Sequence, residues 1–159
     1  MSLSNFFELL QVPQQFEMNQ EVLEQHYRLL QQKAHPDNYR QADSITRAHA
    51  QQIAGQINEA YQVLKTPLLR AKYLLLLQGV HFDTLKNQVS SEFLMQQLQW
   101  QEALEDAISP VEKERVISEI QEAKKQYEAH LQQLFSESAA ADRLIETLQT
   151  LKYIERLLY

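Results

Sequence analysis

Cysteine is absent from this chain of 159 residues. That excludes disulfides, thiolate metal sites, cysteine-ligated clusters and cysteine nucleophiles within it, and it fits a reducing compartment. Glycine occurs twice and proline four times, so little interrupts a helix. β-branched residues are sparse, which argues against a sheet. Long apolar runs are also missing. The longest, Leu74 to Leu77, is far short of the ~20 residues that span a bilayer. No N-terminal apolar stretch with basic flanks stands out, which predicts no secretory signal. These absences predict a soluble, cytoplasmic protein with no membrane partner.

What is present is helix former: Gln, Leu, Glu and Ala dominate, and all favour helix. The expected fold class is all-α. A chain of this length buries roughly 70% of its unfolded surface without staples. The net charge of −6 is uneven: residues 1–78 carry seven basic and seven acidic side chains, residues 79–159 eight and fourteen. Nucleic acid is a poor partner for such a surface, because phosphates attract basic residues. The asymmetry suggests two modules.

The pattern divides into 1–79, a linker at 80–90, and 91–159. Asn5 to Gln11 reads as a short helix ended by Pro13. A second helix follows Asn19, an N-cap residue, with Leu23, Tyr27, Leu30 and Ala34 on one stripe. A third begins near Asp43 or Ser44, shows Ile53, Ile57, Ala60, Tyr61 and Leu64, and closes at Thr66-Pro67. A fourth, about Leu68 to Gln78, ends at Gly79. Beyond the linker, Ser91 to Ile108 forms one helix. "SPVE", with Ser109 as cap and Glu112 as its partner, opens the next. The last starts near Ser138. Three amphipathic helices with short turns predict an antiparallel bundle.

The stretch "QQKAHPDNYR", residues 31–40, sets His35 and Asp37 beside Pro36. Proline pushes the preceding residue out of helix, so the second helix ends near Ala34. Two ordinary readings of the pair are polar turn residues or a general base with its orienting carboxylate. No nucleophile, glycine-rich cradle or second carboxylate accompanies them to complete a catalytic site, so no enzyme is expected. The five histidines show no spacing of metal ligands, so no metal site is expected.

With "INEAYQVLKTPLLRAKYLLLLQG" after it, the stretch resembles a J-domain, the co-chaperone module that activates DnaK-type ATPases. The matching residues are His35-Pro36-Asp37, Ile57-Asn58-Glu59-Ala60-Tyr61, Leu64, Pro67, Arg70-Ala71 and Tyr73, within about residues 3–78. The resemblance implies an antiparallel helical hairpin whose loop docks on a chaperone. Asp37 would accept charge-assisted bonds from an arginine, Pro36 would stiffen the bend and His35 would pack beside it. Arg28 and Lys33 would steer encounter, with His26, Arg40 and Arg47 as helpers. Ala34 and Asn38 depart from the tyrosine and lysine common in that family.

The glycine/phenylalanine-rich and zinc segments of general J-proteins are missing. Instead "EFLMQQLQWQEALEDA" resembles the characteristic segment of the HscB-type co-chaperones of iron–sulfur cluster assembly, and the likeness then covers nearly the whole chain. On a helical wheel at ~100° per residue, Phe93, Trp100, Leu104, Ala107 and Ile108 form a core side. Leu94, Met95, Leu98, Gln99, Glu102, Glu105 and Asp106 form the other. By pattern alone this second side is either an exposed binding surface or one whose Leu94 and Leu98 pack on the third bundle helix or on the first module. Tyr153 falls opposite the Leu144, Leu148, Leu151 stripe of the last helix, which predicts exposure. The resemblance implies that Leu94, Met95, Leu98, Gln99, Glu102, Asp106 and Tyr153 bind the cluster scaffold protein IscU. It also implies an HscA-type chaperone ATPase as second partner, no cofactor of the chain's own, and an L shape if the linker is packed. Another client for a J-protein remains the alternative.

Overall fold

The computed structural model describes residues 4–159, and the regular elements among those residues are all helices, with no strand. It divides into two compact units, the first ending at Leu74 and the second running from Leu75 to Tyr159. Residues 1–3 of the expected first module lie outside the described residues.

In the first unit, α1 spans Phe6–Leu9, α2 Gln20–Lys33 and α3 Ser44–Lys65, and α4, Pro67–Leu77, begins. Asn5, Asn19 and Asp43 cap α1, α2 and α3, each accepting a hydrogen bond from the amide three residues on. Such caps satisfy donors that a helix start leaves without partners. Helix α1 ends earlier than Pro13 suggests. Gln11 takes φ +56°, and the Gln11 and Val12 amides donate to the Glu8 and Phe7 carbonyls. This paired closure is a Schellman ending, met here without glycine.

Leu23 of α2 packs with α3, whose Ile57, Ala60 and Leu64 are buried, and α1 inserts Phe7 against α3. Two aromatic stacks join elements: Tyr27 on Tyr61 at 4.0 Å, and Phe6 on Tyr73 at 4.5 Å. The Tyr73 hydroxyl also accepts the Phe6 amide. Arg70 is buried and donates from Nε to the Phe16 carbonyl and from Nη1 to the Leu64 carbonyl. Its guanidinium thereby ties the α1–α2 loop to the end of α3.

In the second unit, α5 spans Ser91–Asp106, α6 Pro110–Ser136 and α7 Ala141–Leu158, each touching the other two. Phe93, Trp100, Ile120 and Ile154 form a buried cluster, with Leu104, Val116, Tyr127 and Tyr153 packed around it. Ser109 and Glu112 make the expected capping box. Helix α5 nevertheless stops two residues before Ile108. The Glu112 carboxylate takes the Ile108 amide at 2.9 Å, and Ala107 turns extended. Ile108 is therefore no core residue but 95% exposed. The last helix likewise starts after Ser138. That residue has φ +50° and closes α6 in a second Schellman ending, with Ala139 donating to the Leu134 carbonyl.

Residues 80–90, expected as a linker, are pinned to α7. Phe82 is buried in a short 3-10 turn. The Gln149 side chain accepts the Gln88 amide at 2.7 Å and donates to the Lys86 carbonyl at 2.9 Å. One amide side chain thus satisfies two backbone groups, much as a neighbouring strand does.

Candidate functional site

The first unit presents the HPD bend to water. His35 has the extended conformation that a following proline demands, and Pro36–Tyr39 form one 3-10 turn. The His35 Nδ1 accepts the Asp37 amide at 3.2 Å. Asp37 is 58% exposed. Its Oδ1 accepts from Arg40 Nε at 3.1 Å and Nη2 at 2.9 Å, and Oδ2 lies 3.6 Å from His35 Nδ1.

Two residues outside the predicted set hold this bend. Asn38 Nδ2 donates to the Gln32 and Lys33 carbonyls at 2.7 and 3.2 Å, and the Tyr39 hydroxyl donates to the Lys33 carbonyl at 3.3 Å. These carbonyls end α2 beyond the reach of its regular ladder, and the Gln32 carbonyl otherwise takes only long contacts such as the His35 amide at 3.4 Å. Asparagine at position 38 is thus a helix-end partner. Its turn-forming nature was the only signal in the sequence. Beneath the bend lies an apolar recess of about 50 Å³ between Ala34, Pro36, Tyr39, Arg47 and Ala50.

The predicted basic residues divide in their roles. Arg28 pairs with Glu24 at 2.6 Å on the exposed side of α2. Lys33 sits in the last turn of α2, adjoining the bend. Arg40 grips Asp37 itself. His26 is half-buried, and its Nδ1 donates to the Leu10 carbonyl at 2.8 Å, packing the helix against the α1 loop.

In the second unit, the two sides of α5 separate sharply. Phe93 and Trp100 are buried. Met95 is 64% and Leu98 58% exposed, and Gln99, Glu102, Glu105 and Asp106 are exposed beside them. Leu94 is half-buried. Tyr153 departs from the expected exposure. It is half-buried, its ring 6.4 Å from that of Phe93, and its hydroxyl accepts from Asn87 Nδ2 at 2.8 Å. Helix α7 is covered on more than one side, from Thr147 to Leu151 without a break, so no face of it is simply opposite the core. Tyr153 therefore meets α5 at Phe93, on the buried side of that helix.

Comparison with known proteins covers both units. Residues 5–73 match the DnaJ domain family, and residues 89–159 match a family described as HSCB C-terminal oligomerisation domain. A co-chaperone protein HscB homolog of Vibrio cholerae serotype O1 is 37% identical, over 96% of this chain and 92% of its own length. One from Aeromonas salmonicida is 39% identical, over 97% and 92%. The solved chaperone HscB from Vibrio cholerae superposes with TM-score 0.84 at 36% identity, covering 98% of this chain and 93% of that one. The human co-chaperone protein HscB shares the fold at TM-score 0.90 and 22% identity, over 98% and 79%. Among the described residues, no helix is long and apolar enough to cross a membrane.

Proposed function

Because this chain belongs to the HscB family of J-domain co-chaperones, we propose that it delivers an IscU-type iron–sulfur scaffold to an HscA-type chaperone and stimulates that chaperone's ATPase. The family regulates an ATPase rather than being an enzyme. The reading places the protein in the cytoplasm. Its support is that each unit offers one exposed surface with the chemistry the task requires.

On the first unit, Asp37 stands on a stiff turn facing water. A carboxylate so placed suits a guanidinium fork. His35 and Pro36 adjoin it in the turn as docking contacts, and Arg28 and Lys33 on α2 serve as steering charges. Docking of this kind biases the chaperone toward hydrolysis through contacts alone, and the chain needs no nucleotide site of its own.

On the second unit, Met95 and Leu98 are apolar anchors within a rim of Gln99, Glu102 and Asp106, bordered by Leu94 and Tyr153. An apolar centre in a polar rim is the usual anatomy of a reversible interface. The carboxylates favour a scaffold with basic groups around its own contact. With both sites engaged, the scaffold reaches the chaperone as hydrolysis begins, which assists transfer of the cluster.

The test separates the two surfaces. Asp37→Asn is expected to abolish ATPase stimulation while scaffold affinity is retained. Leu94→Ala, Met95→Ala and Leu98→Ala together are expected to weaken scaffold binding, by about 1–2 kcal/mol per anchor, and to spare stimulation measured without scaffold. A folded variant that loses both activities would sink the two-surface reading.

A further inference from the structure

Beside Tyr153 the second unit carries a polar notch of about 150 Å³. Helix α7 supplies one wall with Gln149, Lys152, Tyr153 and Arg156, residues three and four apart and hence on one face. The segment around Asp83 and Asn87 supplies the other. Most of these groups are engaged within the fold. Gln149 is bound to the backbone of 86 and 88. Lys152 Nζ lies 3.5 Å from Asp83 Oδ1 and over the Phe82 ring. Asn87 holds the Tyr153 hydroxyl.

Arg156 differs. Its guanidinium lies over the Tyr153 ring, 5.8 Å from the centroid, and pairs with no carboxylate among the described residues. Cation–π attraction at this distance holds a guanidinium near the ring and leaves its N–H groups free to bond. The notch is lined by one carboxylate, Asp83, and two cations, Lys152 and Arg156. It also shares Tyr153 with the strip proposed for the scaffold.

We infer that this notch is a carboxylate subsite: an acidic side chain of the scaffold enters it and bonds to Arg156, with the Tyr153 ring behind the guanidinium. The inference rests on the scaffold reading above and adds to it a subsite of opposite sign. Glu102 and Asp106 take basic groups along α5, and Arg156 takes an acidic one at α7. Two contacts of opposite polarity, separated on the surface, fix the orientation of a partner that apolar anchors alone leave free to rotate. Arginine and tyrosine are also the side chains over-represented among residues that dominate binding energy.

The experiment is calorimetric titration of the full chain with an IscU-type scaffold protein at low and high salt. Arg156→Glu is expected to weaken binding on the order of tenfold or more, since it replaces a charge-assisted bond by repulsion. Arg156→Lys keeps the charge without the fork and is expected to fall between. Arg156→Met keeps the packing over Tyr153, and its deficit is expected to shrink as salt rises. Unchanged melting of Arg156→Met assigns the loss to the missing charge. If Arg156→Glu binds like the wild type while the Leu94, Met95, Leu98 variant loses affinity, the notch is no subsite and the scaffold reading stands. If that triple variant also binds normally, the scaffold reading falls and takes the notch with it. A self-associated form, seen by sedimentation without scaffold and dispersed by Arg156→Glu, would give the carboxylate to a second copy and overturn the inference.

Discussion

Asn38 and the two glycines illustrate how much a single residue decides here. Asn38 reaches back to two α2 carbonyls, so Asn38→Ala is expected to leave the helices intact yet loosen the bend. Faster amide exchange at residues 35–40, together with a severalfold fall in ATPase stimulation, is the expected result; unchanged exchange would remove Asn38 from the argument. The glycines have opposite expectations. Gly55 lies inside α3 with nothing within 4 Å of an added Cβ, so Gly55→Ala is expected to stabilise by roughly 0.5–1 kcal/mol. Gly79 is equally open, but its φ is +85°. Gly79→Ala is therefore expected to destabilise by about 1 kcal/mol or more, from backbone strain alone. Urea midpoints of the two variants shifting the same way would contradict this.

At the scale of elements, much of the fold was legible because helix starts are written in side chains. Asn19, Asp43 and Ser109 mark their helices from sequence, and the structure puts a cap at each. Helix ends were less legible. Gln11 and Ser138 adopt a left-handed conformation without glycine, and that choice depends on packing after the turn. The end of α5 was missed for a related reason. Glu112 serves Ile108 as well as its own cap residue, which draws the chain out of helix early. Ser109→Ala removes one half of this box and is expected to destabilise by about 1 kcal/mol, read as a lower melting temperature. The candidate surfaces were partly legible. HPD and the apolar–acidic strip stand in the sequence as continuous patterns. Asn87, Gln149 and Arg156 come together only because residues 80–90 fold onto α7, and no periodicity announces that.

At the scale of the whole molecule, pH tests the packing from both sides. Thr46 holds the Asp43 carboxyl below its ordinary range by its backbone and then its side-chain hydrogen bond, with Ile45 adding less. The group favours the fold above the carboxylate range, and that contribution fades as acid titrates it. Tyr127 is pushed up by burial and then by the Glu146 charge. Its contribution is complete below the usual tyrosine value and is lost as alkali rises through the folded one. Tyr127→Phe is thus expected to flatten the loss of melting temperature above about pH 10, while the acid limb stays unchanged. An unaltered alkaline limb would mean that Tyr127 ionises as freely in the fold as outside it.

The contact between Arg40 and Asp37 bears on how briefly the protein holds its chaperone. In the docking proposed above, an incoming arginine meets a carboxylate whose Oδ1 already carries the Arg40 guanidinium, and it competes with that resident for the group. The net gain is a difference between two similar embraces, and eviction runs easily in reverse. A co-chaperone that must let go after each round is well served by a handshake that its own chain stands ready to resume.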